Sequence, residues 1–119
     1  MATTKPTPDS FEAPIKAGKV LPGMNFNQKV WALTARIPAG KVTTYARIAQ
    51  ALGSKGYRAV GNALNKNPYA PQVPCHRVVG TNGSLTGFAG GLDKKQRLLN
   101  EEGVACGNYR APVDDLFNF

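Results

Sequence analysis

The 119-residue sequence predicts a mainly α-helical, winged helix-turn-helix domain of the DNA-binding kind, with a small β wing. Three observations carry that expectation. Two short segments with helical apolar spacing flank the break Gly53-Ser54-Lys55-Gly56. A hairpin-turn signal, Thr81-Asn82-Gly83-Ser84, separates Val78-Val79 from Leu85. Between Ala13 and Leu92 there is no acidic residue, in a chain of net charge +8. Such a span carries a strong positive potential and suits a polyanion.

Residues 1–23 read as an arm, because Pro6, Pro8, Pro14 and Pro22 with Gly18 and Gly23 leave no apolar period. Asn25 is a natural N-cap for a first helix, in which Phe26, Val30, Leu33 and Ile37 share a face widened by Trp31. That helix should stop before Pro38-Ala39-Gly40. Lys41-Val42-Thr43 is short and extended, and Thr43 or Thr44 can cap a second helix carrying Tyr45, Ile48, Ala49 and Leu52 on one face. A third helix spans about 57–64 and would be the recognition helix. Its Ala59, Gly61 and Ala63 are small. Glycine costs helix stability, so Gly61 needs a reason: close helix packing and close approach to DNA are both open.

Asn65-Lys66-Asn67-Pro68 is a turn, and 70–79 reads as loop then short strand. Gly87-Phe88-Ala89-Gly90-Gly91 is a glycine-rich loop without the Gly-Lys-Ser/Thr ending of a phosphate loop. A last helix over 92–102 turns Leu98 and Leu99 inward and stops at Gly103. The tail, 104–119, has no clear period, though Leu116, Phe117 and Phe119 can dock on the body. The domain proper is therefore expected at 24–103.

Composition excludes several classes. No apolar run approaches the ~18 residues of a membrane span. The N-terminus leads into no hydrophobic signal core, so export is not expected. Two cysteines without a second His/Cys cluster fit neither a disulfide scaffold nor structural zinc, and no metal or other cofactor is expected. A reducing compartment, cytoplasm or nucleus, follows.

The chemistry centres on Pro74-Cys75-His76-Arg77-Val78-Val79, which holds the only histidine. A cysteine is a nucleophile only where its surroundings favour the thiolate, and an imidazole, Arg77 and a basic segment provide such surroundings. In an extended segment neighbouring side chains point to opposite faces, so a relay from Cys75 to His76 through one water fits better than a direct bond. On the dipeptide alone, an inert thiol beside a satisfied histidine stays open.

In order and spacing, the segments 26–41, 41–45, 58–63, Asn67-Pro68, 74–79 and 90–103 resemble the C-terminal domain of O6-alkylguanine–DNA alkyltransferases. The resemblance covers about 24–103 and rests chiefly on Pro74-Cys75-His76-Arg77-Val78 with Arg58-Ala59-Val60-Gly61. It implies direct-reversal repair: after base flipping, the alkyl group on guanine O6 of double-stranded DNA moves to Cys75, once per molecule. By the same resemblance His76 is the base, Glu102 orients it, Asn67 holds the cysteine loop and Tyr45 hydrogen-bonds the base at N3. Val78 and Ala89 line the base pocket with Lys95 near it. Arg58 takes the place of the flipped base, with Ala59, Gly61, Asn62, Thr44 and Thr81 on the DNA face. Phe88 and Ala89 depart from members that carry tyrosine and serine there. Many members have an N-terminal domain with a zinc site, to which the arm does not correspond. A monomer that binds DNA cooperatively, without a membrane partner, is expected.

Two other classes compete. An alkyltransferase-like lesion sensor flips the base and transfers nothing; such sensors carry tryptophan at the acceptor position, where this chain has Cys75. A winged-helix regulator with Cys75 as thiol sensor would bind DNA by sequence, independent of damage.

Overall fold

The computed structural model describes residues 11–54, 56–86, 88 and 90–119. Helix α2 (Phe26–Thr34) starts where Asn25 stops the chain's free backbone N–H groups from going unpaired. Asn25 Oδ1 accepts from the Gln28 amide (2.8 Å) and Gln28 Oε1 accepts from the Asn25 amide (2.9 Å), a reciprocal capping box. Val30, Trp31 and Leu33 turn inward, and the Trp31 indole donates to the Ala63 carbonyl (2.7 Å). That bond ties α2 to α4 (Tyr57–Asn65), the helix against which it packs most extensively.

Residues 11–23 are more than an arm. A short helix α1 (Glu12–Lys16) buries Ile15 completely, and Phe11 and Leu21 pack on the same core. Arg36 fastens this segment by donating to the Gly18 carbonyl (2.7 Å). One turn of helix with Pro14 inside it has too few positions for a period to show.

Strand β1 (Thr43–Thr44) runs into α3 (Tyr45–Ala51), whose first turn is capped by Thr44 Oγ1 accepting from the Arg47 amide (3.1 Å). Helices α3 and α4 pack against one another across the glycine break. Strand β2 (Val78–Val79) pairs in parallel with β1, Thr43 opposite Val78 and Thr44 opposite Val79. This two-stranded sheet lies between two apolar clusters. One is built mainly from α1 to α4, the other from Val42, Val79, Leu85, Leu99, Val104 and Ala111.

The expected pairing of Val78-Val79 with Leu85 is replaced by another. The turn forms, with the Gly83 amide bonded to the Gly80 carbonyl (2.8 Å). Its returning arm pairs with the tail, however: the Leu85 amide donates to the Tyr109 carbonyl (2.9 Å), and Ser84 bridges Arg110. Gly83 is required here twice over, by its φ of +87° and because a Cβ would lie 2.1 Å from the Ala111 carbonyl oxygen. The tail then crosses β1, where the Phe117 amide donates to the Val42 carbonyl (2.8 Å) and Thr43 Oγ1 to the Phe117 carbonyl (3.2 Å). Lys41–Asp115 and Arg47–Asn118 contacts flank this crossing.

Helix α5 (Leu92–Glu101) buries Leu99 and, one turn earlier, Lys95. No helix of the described residues is long and apolar enough to cross a membrane.

Candidate active site and nucleic-acid face

Pro74 delivers the chain into a 3-10 turn, Cys75–Arg77, held by the Arg77 amide on the Pro74 carbonyl (2.9 Å). The segment is therefore tight where the sequence reading had it extended. Successive side chains on such a turn stand about 120° apart, so Cys75 and His76 still diverge. Cys75 is half-buried on a cavity of about 220 Å³ and His76 is buried. Among the described residues no direct hydrogen bond joins the two.

His76 Nε2 lies 3.0 Å from Glu102 Oε2. Burial pushes the imidazole below its usual range, and the Glu102 hydrogen bond offsets only part of that. Burial also pushes the Glu102 carboxyl up, but hydrogen bonds from Arg77 and His76 outweigh it, and the carboxyl ends below its ordinary value. An ionised carboxylate can only accept, so Nε2 carries the imidazole hydrogen. Nδ1 is left with the lone pair that can take a proton.

Arg77 grips the same carboxylate with both sides of its fork, Nε to Oε1 (2.9 Å) and Nη2 to Oε2 (2.6 Å), while Nη1 donates to the Ile37 carbonyl (2.7 Å). Its charge is thus neutralised by Glu102, and Arg77 positions that residue where the sequence reading had it favouring the thiolate. A cation whose charge is felt at Cys75 is Lys95, on α5. Its ammonium is buried without a carboxylate, donating to the carbonyls of Val78 (2.7 Å) and Thr86 (2.9 Å), 5.8 Å over the Tyr45 ring. Burial pulls its pKa from 10.5 to about 8, the expected direction for a desolvated cation.

Tyr45, at the start of α3, donates its hydroxyl hydrogen to the Thr86 carbonyl (3.1 Å). Burial raises its pKa, so the phenol keeps its proton through neutral pH. Asn67 bridges the loop leading to Cys75: its Nδ2 donates to the Val73 carbonyl (2.8 Å) and its Oδ1 accepts from the Tyr69 amide (2.9 Å). Val78 is buried, and Ala89 lies outside the described residues. The structure thus brings Tyr45 and Asn67 to the Cys75 cavity, with His76 and Glu102 behind it. Phe88 lines this cavity and a second one of about 330 Å³ on the His76 side of Cys75.

A groove of about 460 Å³ runs along α4, bordered by Arg58, Gly61, Asn62 and Thr81, and Tyr45 and Asn65 line both it and the Cys75 cavity. Ala59 is exposed on the same helix. Thr44, expected on the DNA face, is buried, and its hydroxyl caps α3. Several cations of the acid-free span are also spent internally, on Glu12, Asp115 and Glu102. Arg58 and Lys66 make no ion pair among the described residues.

Gly61 separates the two explanations left open for it. A Cβ added there would meet only the Tyr45 ring, at 4.0 Å, an ordinary contact. Packing inside the fold does not demand glycine. Gly61→Ala should therefore raise stability, by up to about 1 kcal/mol as read by chemical denaturation. The same substitution should weaken duplex binding, because it thickens the groove floor; unchanged binding would mean that no partner approaches that backbone.

The arrangement sets a thiol on a cavity, holds a neutral base behind it and presents a phenol hydroxyl on the cavity wall. Among the described residues there is no cluster of His, Cys, Asp or Glu able to hold a metal. The family model described as 6-O-methylguanine DNA methyltransferase, DNA binding domain, matches residues 25–104. A methylated-DNA–protein-cysteine methyltransferase of Methanosarcina mazei is 52% identical over 81 residues, covering 67% of this chain and 51% of that protein. The chain spans about half the length of the curated relatives it matches. Among solved structures, Mycobacterium tuberculosis OGT in complex with DNA is similar with a TM-score of 0.64 and 41% identity, over 76% of this chain and 62% of that one. Schizosaccharomyces pombe Atl1 in complex with damaged DNA containing O6-carboxymethylguanine is similar with a TM-score of 0.61 and 35% identity, over 67% and 77%.

Proposed function

The chain belongs to the family of the 6-O-methylguanine DNA methyltransferase DNA-binding domain, and from that premise we propose that it repairs duplex DNA by moving an alkyl group from guanine O6 to Cys75. The observation that carries this reading is the His76–Glu102 pair, its imidazole buried, directly behind a half-buried cysteine at a cavity that shares Tyr45 and Asn65 with the groove bordered by Arg58. Residues 24–103 are the working domain, a winged helix-turn-helix with α4 as recognition helix in the minor groove. The protein acts as a monomer wherever the DNA is, in cytoplasm or nucleus.

The steps balance. His76 Nδ1 takes the thiol proton of Cys75 through a water, and Glu102 and Arg77 hold the imidazole in the tautomer that permits this. Lys95 stabilises the thiolate by its charge. The sulfur attacks the alkyl carbon, an S–C bond forms, and the electron pair of the C–O bond leaves on O6. Tyr45 offers a proton to N3 of the departing base, which leaves as neutral guanine. The proton gained by His76 equals the one Tyr45 recovers afterwards. The C–S bond of a thioether is inert to water at neutral pH, so each molecule turns over once.

Flipping the base costs a few kcal/mol, which Arg58 offsets by filling the gap. Arg58→Ala should slow transfer from duplex far more than from the free base O6-benzylguanine, which needs no flipping. Intact mass spectrometry after incubation with an O6-methylguanine duplex is the direct test. One methyl group gained per chain supports transfer. Tight binding with no gain would make the protein a lesion sensor.

A further inference from the structure

Tyr57 opens α4 and is the most exposed large apolar side chain among the described residues, at 55%. The chain's other three tyrosines are engaged: Tyr45 with Thr86, Tyr69 edge-on to Trp31 at 5.9 Å, and Tyr109 with Asp93. Tyr57 makes no hydrogen bond and no ring contact among the described residues. It has no capping duty either, since Gly56 is the N-cap and no side chain caps α4. The fold therefore gives no reason for an aromatic ring at this position.

Its placement supplies one. Tyr57 lines the groove beside Arg58, and Gly61 lies one helical turn further on, four residues from Tyr57 and three from Arg58. Helical side chains lean toward the N-terminus, so the phenol projects off the end of α4 at the mouth of the groove. A ring and a guanidinium thus stand side by side in front of a bare stretch of backbone that packing does not require to be bare. Proteins that open the minor groove insert apolar wedges between base steps, and aromatic rings stack on bases without regard to sequence.

We propose that Tyr57 is a second wedge on the DNA face, its ring packing against the base step next to the flipped nucleotide while Arg58 fills the gap. This rests on the DNA-repair reading above. The bases beside the lesion then keep an apolar aromatic surface when their neighbour leaves, which adds to the guanidinium plane of Arg58 and which the small residues of α4 do not offer.

The test is binding of a fluorescein-labelled duplex carrying one O6-methylguanine, across a salt series, by Tyr57→Ala, Tyr57→Gln and Tyr57→Phe. Both polar or truncated variants should bind about ten-fold more weakly, and Phe should bind like the unmodified chain. The slope of log affinity against log salt should not change, since no charge is removed, whereas Arg58→Ala serves as the charged comparison. Thermal melting of each variant separates lost folding from lost contact. Three results overturn the wedge: Ala and Gln binding like the unmodified chain, Phe losing as much as Ala, or a shallower salt slope. The outcomes stay separable from those of the transfer reading. No methyl gained but Tyr57→Ala weakened sinks transfer and keeps the wedge; methyl gained but Tyr57→Ala unaffected does the reverse.

Discussion

Cys75→Ser should lower alkyl transfer by on the order of a thousand-fold or more while duplex binding persists. A serine hydroxyl has the same reach, but at neutral pH it supplies neither the ionised nor the polarisable nucleophile that attack on an alkyl carbon needs. Binding should survive because Cys75 sits in the cavity, whereas the groove along α4 is bordered by Arg58, Asn62 and Thr81. Peptide mapping of the unmodified chain should find the alkyl group on Cys75. Cys106 is the internal control. Burial pushes its thiol up and Lys95 only partly offsets that, so it holds less thiolate than an ordinary cysteine. An alkyl group on Cys106 would refute the assignment.

The second large effect is at Glu102. Glu102→Gln should slow transfer by roughly a hundred-fold, within the range that a positioned acid–base group contributes. A glutamine carbonyl in the place of Oε2 can still accept from His76 and Arg77 Nη2, but it cannot neutralise Arg77, and its amide NH2 faces Arg77 Nε where Oε1 accepted, so the fork is broken. Since His76 and Glu102 work as one device, the double variant His76→Ala/Glu102→Gln should be no worse than His76→Ala alone. The pH profile gives a sign. Glu102 raises the His76 pKa against the larger depression from burial, so removing its charge should move the acid limb of the rate profile to lower pH. A limb that stays where it is would show that the two are not linked, and one that moves upward would reverse the sign of the link. Stability follows the same logic: the carboxyl lies below its ordinary value in the fold. Its contribution is complete above about pH 4.3 and disappears as pH falls through the depressed value. The unmodified chain and Glu102→Gln should therefore converge in melting temperature in acid.

What the sequence made legible depended on whether a residue's role is local. Asn25 and Thr44 cap helices through neighbours three residues away, and the faces of α2, α3 and α4 repeat over enough turns to show. The Cys75–His76 pair was visible as chemistry, and Glu102 entered through resemblance. Other features have no local signature. Arg77 meets Glu102 across 25 residues, so nothing near either residue announces the fork. Lys95 counts as polar in any pattern and entered, like Glu102, through resemblance; its burial one turn before Leu99 has no local signature. The two-residue strands are too short for alternation to choose between partners, and the arm of the turn pairs with the tail instead. Tyr57 has no sequence signature of its own, because an aromatic at a helix start says nothing about its exposure.

The tail ties the last part of the chain to the first strand, and this sets an order of events. Thr43 and Phe117 are 74 residues apart, and the contacts of Asp115 and Asn118 close loops of nearly the same size. The helical pairs α2–α4 and α3–α4 close far shorter ones. Loop closure costs more entropy as the loop lengthens, and contacts distant along the chain form late. The helices should therefore assemble first. The Leu85 arm, whose amide pairs with Tyr109, should become fixed only when the tail docks. In time as well as in space, the loop that reaches Thr86 and Phe88, and so one wall of the cysteine cavity, is the part of this molecule finished last.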